Sequence, residues 1–120
     1  MNIKTLQLGD KEIAHVQSGD ILIRTTQDAL DIMGETQSEY IILSDHNFEK
    51  DFFDLRTQKL GDVLQKFTNY RIKVAVIGDF SVYPGETLKD FMYESNRHGE
   101  YLFLPSIEAV LKKWNPESVL

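Results

Sequence analysis

Ile72-Lys73-Val74-Ala75-Val76-Ile77, ending abruptly at Gly78-Asp79, is the stretch on which the fold turns. Five of its six residues are apolar and four are β-branched. A run this short and this apolar is the pattern of a strand covered on both faces. Tyr40-Ile41-Ile42-Leu43, broken by Ser44-Asp45-His46-Asn47, repeats it upstream. Between the two runs Leu60, Val63, Leu64 and Phe67 recur at helical spacing, and Asn69-Tyr70 closes that helix. Two buried strands joined through a helix predict parallel pairing with a right-handed crossover.

The alternation continues toward the C-terminus. Tyr83-Pro84-Gly85 reads as a turn. Leu88, Phe91 and Met92 then mark a helix that runs out near Asn96 to Gly99, with Asn96 as a left-handed cap. Tyr101 to Leu104 is a further strand, and Ser106 caps a last helix carrying Ile107, Val110, Leu111 and Trp114 at i, i+3, i+4 and i+7. Toward the N-terminus, Thr25 and Asp28 have the spacing of a capping box, and Ala29, Leu30, Ile32 and Met33 give an apolar helical face that Gly34 stops. Ile21-Leu22-Ile23 reads as a short strand. Ile3 to Leu8 and Glu12 to Gln17, around Gly9-Asp10-Lys11, predict a β-hairpin. The expected fold is α/β: a single-layer mixed sheet of about five strands flanked by about four helices, with an N-terminal β-hairpin. It forms one domain over residues 1–114, followed by a frayed tail at 115–120.

With 42% apolar and 27% charged residues in 120, nothing points to disorder or repeats, and one core is expected. The absence of cysteine removes disulfides, thiolate nucleophiles and cysteine-based zinc sites. No apolar run approaches the roughly 20 residues that cross a bilayer. Met1 to Leu6 has no apolar leader core, so a soluble cytoplasmic protein with no membrane role is expected. The formal charge is −6, and from Asp28 to Asp54 eight acidic residues face the single basic Lys50. Such a chain repels a phosphate backbone, which argues against a nucleic-acid partner.

Ligands of parallel sheets gather at the carboxyl ends of the strands. That rule selects Arg24 after the short strand, Asp45 and His46 after the first central strand, Asp79 and Ser81 after the second, and Asp54, Arg56 and Thr57 before a helix. Asp45, Asp54 and Asp79 with His46 have the oxygen-rich chemistry of a hard-cation site. The same residue types directly after strands are also what helix caps and turns require, and on that reading no metal or cofactor is assigned. No nucleophile stands beside a base, and no Gly-x-Gly-x-x-Gly or Gly-Lys-Ser/Thr follows Gly78-Asp79, so no enzyme is implied. Glu94 and Asn96, ending the third helix, mark a second patch at the opposite edge. His15 and His98 lack ligand neighbours, and the Phe-rich Phe48 to Leu55 is expected to be pinned into the core.

Phe-Phe-Asp-Leu-Arg-Thr (52 to 57), Gly-Asp-Val-Leu-Gln-Lys-Phe-Thr-Asn-Tyr-Arg (61 to 71), Val-Ile-Gly-Asp-Phe-Ser (76 to 81) and Asp-Phe-Met-Tyr-Glu-Ser-Asn (90 to 96) resemble an uncharacterised bacterial family. It is the domain-of-unknown-function family numbered forty-one-eighty. The resemblance runs from about Ile13 to Trp114 and implies membership without an activity. The element order also resembles the anti-sigma-factor-antagonist STAS (SpoIIAA-like) domain, in which a loop reading roughly Asp-Ser-Ser-Gly carries a phosphorylatable serine. Here Phe53-Asp54-Leu55-Arg56-Thr57 stands in that place, with Leu and Arg for the serines and Thr57 as the only nearby hydroxyl. A phosphate on Thr57 would sit at a helix N-terminus beside Arg56, opposed by Asp51 and Asp54. A plain helix cap at Asp54 or Thr57 is the simpler role.

The STAS-like element order, together with the lack of a catalytic constellation, implies a small non-enzymatic regulatory or protein-interaction module. Its unknown protein partner would meet the edge holding Asp45, Asp54, Arg56, Thr57 and Asp79. A homodimer through an exposed sheet edge is compatible with this. The alternative is a small-molecule- or metal-binding protein or enzyme built on those carboxylates. The first predicts a shallow surface and the second a pocket.

Overall fold

The computed structural model describes residues 2–115. Strands β1 (Asn2–Leu8), β2 (Lys11–Gln17), β3 (Tyr40–Ser44), β4 (Lys73–Ile77) and β5 (Tyr101–Leu104) form one sheet in the order β1-β2-β3-β4-β5. The β1–β2 hairpin is antiparallel and every later pair is parallel, so the sheet is mixed. Helices α1 (Thr26–Thr36), α2 (Lys59–Asn69), α3 (Glu86–His98) and α4 (Ile107–Trp114) complete it.

Because each parallel strand lies beside its predecessor, the strand order never reverses. Crossovers of one hand then place α1, α2 and α3 on the same face. Side chains alternate across the sheet accordingly. Val16, Ile41, Leu43, Val74, Val76 and Phe103 join a large cluster with residues of α1, α2 and α3. The intervening Ile13, Ile42, Ala75 and Leu102 meet Val110 and Trp114 of α4 on the other face. Cover on both faces is why β3 and β4 read as unbroken apolar runs.

The helix starts follow the sequence signals. Thr25 Oγ1 accepts the Asp28 N–H at 3.3 Å while Asp28 Oδ2 accepts the Thr25 N–H at 3.1 Å. Ser106 Oγ accepts the Ala109 N–H at 3.2 Å. The stops differ from expectation. Helix α1 runs past Gly34 to Thr36, because Gln37 takes the left-handed conformation (φ 49°) and its N–H reaches Met33 O at 2.9 Å. Helix α3 ends at His98, within the expected Asn96 to Gly99, but its left-handed cap is Gly99 (φ 83°) and not Asn96. Ile21-Leu22-Ile23 is not a strand either. Ile23 makes one isolated bridge to Phe48, and the N–H groups of Leu22 and Ile23 both donate to Asn47 O, at 2.7 and 2.9 Å. That segment is stitched to the connection after β3 instead of to the sheet.

The two ends of the strands are treated unequally. Connections returning to the strand N-termini are short, at 37–39, 70–72 and 99–100. Those leaving the C-termini of β2, β3 and β4 span 18–25, 45–58 and 78–85, with fourteen residues in the middle one. No described helix is long and apolar enough to cross a membrane. The tail expected at 115–120 lies outside the described residues from 116 onward.

Candidate functional site: a cleft between two strand-end connections

The 45–58 connection is a chain of three 3-10 turns, Asp45–Asn47, Lys50–Phe53 and Leu55–Thr57. Asn47, fully buried, fixes its start. Its Oδ1 accepts the Ser44 N–H at 2.8 Å, and its Nδ2 donates to Ser18 O and Asp20 O at 2.9 Å each. A buried amide is tolerated only when its bonds are made, and these tie the connection to the 18–25 loop. Phe48, Phe52 and Phe53 are all buried, with Phe48 ring centroids 5.7 and 5.9 Å from the other two. They anchor the connection in the core.

The 78–85 connection faces it. Asp79 Oδ1 accepts the Ser81 N–H at 3.1 Å and the Ser81 hydroxyl at 2.5 Å, capping the turn Phe80–Val82. Those hydrogen bonds hold the Asp79 carboxyl below its usual range. The Tyr83 ring stacks on Phe53 at 4.5 Å, and its hydroxyl donates to Asp45 Oδ2 at 2.5 Å. Burial first, and then the hydrogen bond to and charge of the Asp45 carboxylate, push the phenol well above its ordinary pKa, in keeping with its role as the donor of this bond. The Asp45 side chain is only 16% exposed. It lies directly over Gly78, where a Cβ would come within 2.6 Å of Asp45 Cγ. Asp45 Oδ1 is 3.4 Å from His46 Nδ1, which in turn lies 3.1 Å from Ser44 Oγ.

Between the two connections opens a cleft of about 460 Å³, floored and walled by Phe53, Leu55, Tyr83, Pro84 and Leu88. Lys50, Asp54 and Arg56 stand on its rim, and Gly85, which caps α3 without a side-chain hydrogen bond, borders it. Asp54 accepts Arg56 Nε at 2.9 Å, Nη2 at 2.8 Å and the Arg56 N–H at 3.1 Å. These bonds lower the Asp54 carboxyl and raise the guanidinium. Thr57 Oγ1 donates toward Asp51 O (3.1 Å) and Asp54 O (2.9 Å) and accepts the Lys59 N–H at 3.3 Å. Asp54 caps its own 3-10 turn, whereas α2 is capped by Gln58 in the left-handed conformation (φ 64°). Neither Asp54 nor Thr57 is the cap of α2.

Of the residues selected from sequence, Asp54 and Arg56 border the cleft, and Asp45, with His46 beside it, reaches it through Tyr83. Thr57 follows directly. Asp79 and Ser81 pair with each other in the facing loop. Arg24 stands before α1, its N–H on Asp28 Oδ2 at 2.8 Å and its Nη1 3.4 Å from Ile21 O. Asp45, Asp54 and Asp79 thus have separate partners, and among the described residues no three acidic or histidine side chains form a group that could hold a metal ion. In the second patch Glu94 pairs with Arg97 (3.2 Å) and His98 (3.8 Å). Asn96 there acts on the sheet, its Oδ1 accepting the Phe103 N–H at 2.8 Å and its Nδ2 donating to Phe103 O at 3.1 Å.

Sequence reasoning passes over Tyr83 and Leu88, whereas Lys50 and Leu55 lie in the Phe48 to Leu55 segment, expected first as a loop pinned into the core and second as an exposed partner-binding patch. Tyr83-Pro84-Gly85 reads as a turn and Leu88 as helix core. The available signal is an aromatic residue in a turn, opposite a Phe-rich connection of unusual length. No curated protein and no solved structure matches this chain. A family model does match it, over residues 8–114, and the chain belongs to that family, the domain of unknown function DUF4180.

Proposed function

We propose that the chain is a non-catalytic binding module that docks a protein partner on the edge built by 45–58 and 78–85, with the cleft as the anchor point. The observation that carries this is the asymmetry of the connections. Two or three residues suffice at one end of the strands, yet fourteen form a platform at the other. A connection of that length in a compact domain is commonly a functional one. It is rigid, since three phenylalanines and the buried Asn47 hold it.

The chemistry of the edge supports binding over reaction. The Thr57 and Ser81 hydroxyls and the Asp45, Asp54 and Asp79 carboxylates are each engaged by a neighbouring group. The edge carries a cleft where an interaction module was expected to be shallow. That cleft is not built on the three carboxylates the alternative requires, since only Asp54 of them lines it. What it offers a partner is an apolar recess with charged groups around it. The regulatory side of the reading rests on the likeness of the element order to STAS domains.

Site-specific photo-crosslinking tests it. A photoreactive phenylalanine analogue at position 55 should capture one defined protein from native lysate, and the same analogue at exposed Tyr70, on the short-connection side, should not. Arg56→Glu should weaken that capture. Equal capture from both positions, or none from position 55, overturns the assignment of the edge.

A further inference from the structure

The cleft has a charge character opposite to that of the chain around it. Its lining holds Lys50, Arg56 and one carboxylate, Asp54, a balance of +1 on a protein of net −6. The two cations are not equivalent. Arg56 has its Nε and Nη2 committed to Asp54, although its side chain remains 90% exposed. Lys50 is exposed and makes no ion pair with any described residue. The neighbouring acids are already engaged elsewhere, with Asp51 on Lys59 at 2.6 Å and Glu49 at 3.9 Å from the same ammonium. An ammonium left unpaired beside an apolar recess, on an acidic chain, is complementary to a carboxylate attached to something apolar.

Resting on the docking reading above, we propose that the anchor is an acidic, apolar segment of a protein partner. One aromatic or aliphatic side chain would enter between Phe53, Leu55 and Leu88, and an adjoining carboxylate would meet Lys50. The Phe53–Tyr83 stack, pinned by Asp45, gives this recess a fixed wall. A preformed wall lowers the ordering cost of association. The recess supplies the affinity, while the exposed cations set the preference for acidic over basic partners.

The test is a pair of N-acetylated, C-amidated peptides, Phe-Glu-Leu-Glu and Phe-Lys-Leu-Lys, titrated into the full ¹⁵N-labelled chain. Sodium octanoate is titrated in parallel. The acidic peptide should saturably shift amides of residues 50–56 and 83–88, and bind about fivefold tighter than the basic one at low salt, the scale of exposed ion pairs. The preference should shrink at 0.3 M salt and reverse in Lys50→Glu, a substitution at an exposed, unpaired position. Equal binding of both peptides at those amides overturns the acidic partner and leaves the docking reading intact. Octanoate binding as tightly as the acidic peptide overturns it in favour of a small amphipathic carboxylate. Shifts elsewhere, or none, overturn both.

Discussion

Asp45 holds a carboxylate in a largely buried position because Gly78, on the neighbouring strand end, has no side chain to displace it. A methyl group there would lie 2.6, 2.8 and 2.9 Å from Asp45 Cγ, Oδ1 and Cβ, contacts that real structures do not tolerate. Asp45 has little freedom to yield while Tyr83 holds its Oδ2. Gly78→Ala should therefore destabilise the protein by about 1–3 kcal/mol, the usual cost of overpacking. Gly61→Ala on the exposed side of α2, with open space around it, should instead stabilise by about 0.5–1 kcal/mol. Urea denaturation of the two variants reads the opposite signs directly. Tyr83→Phe leaves a mostly buried carboxylate without its donor, and should cost about 1.5–3 kcal/mol. His15 supplies a pH dependence of its own. Burial, then the Lys4 charge across the hairpin, lower its pKa below the ordinary 6.5. The folded state thus takes up its proton at lower pH than the unfolded state. Its contribution is full above pH 6.5 and is lost as the pH falls through the folded value. The stability difference between His15→Gln and the parent should accordingly shift in the variant's favour between pH 7.5 and pH 5, and a constant difference would contradict it.

At the scale of elements, the free edge of β5 is closed by a side chain. Glu100 O and Leu104 O accept from Val74 and Gly78, so the intervening Phe103 turns its backbone groups outward, where Asn96 of α3 takes both. Asn96→Ala removes two hydrogen bonds and uncovers a strand edge. It should cost about 1–3 kcal/mol and produce concentration-dependent association, measurable by sedimentation velocity. Nothing in the sequence distinguishes this asparagine from a helix-terminating one, which is why it reads as a cap. The same limit applies to the other helix ends. Gln37 and Gln58 adopt the left-handed conformation that glycine signals in sequence, so the ends they mark are silent. The starts at Thr25 and Ser106 are legible because their caps need particular side-chain oxygens at fixed spacing. The strands β3 and β4 are legible because cover on both faces demands an unbroken apolar run. Ile21-Leu22-Ile23 has strand composition, but the buried Asn47 claims its neighbourhood, a tertiary effect no local pattern carries. The cleft is illegible for a related reason: Phe53 and Tyr83 meet across two connections, thirty residues apart in the chain.

At the scale of the molecule, the sheet divides the apolar interior into unequal parts, and the smaller is closed by the eight-residue α4 alone. A helix this short, leaving β5 through only Pro105 and Ser106, has the outward form of an appendage. The buried side chains beneath it decide otherwise. Detaching α4 would expose Ile13, Ile42, Leu102, Val110 and Trp114, each buried in the folded chain. At about 1.5–3 kcal/mol for each large apolar side chain, the loss is on the order of 7–15 kcal/mol. That equals the whole stability of a typical domain, about 5–15 kcal/mol, so the sheet cannot survive the departure of α4. Trp114 is the sole tryptophan, packed edge-on against Tyr40 with ring centroids 5.1 Å apart, and it reports this face alone. Far-UV circular dichroism reports mainly the helices of the other face. The two signals should therefore trace one urea transition with a single midpoint, as cooperative unfolding requires. A fluorescence midpoint below the dichroism midpoint would mean that α4 leaves first and that the two faces are not one cooperative unit.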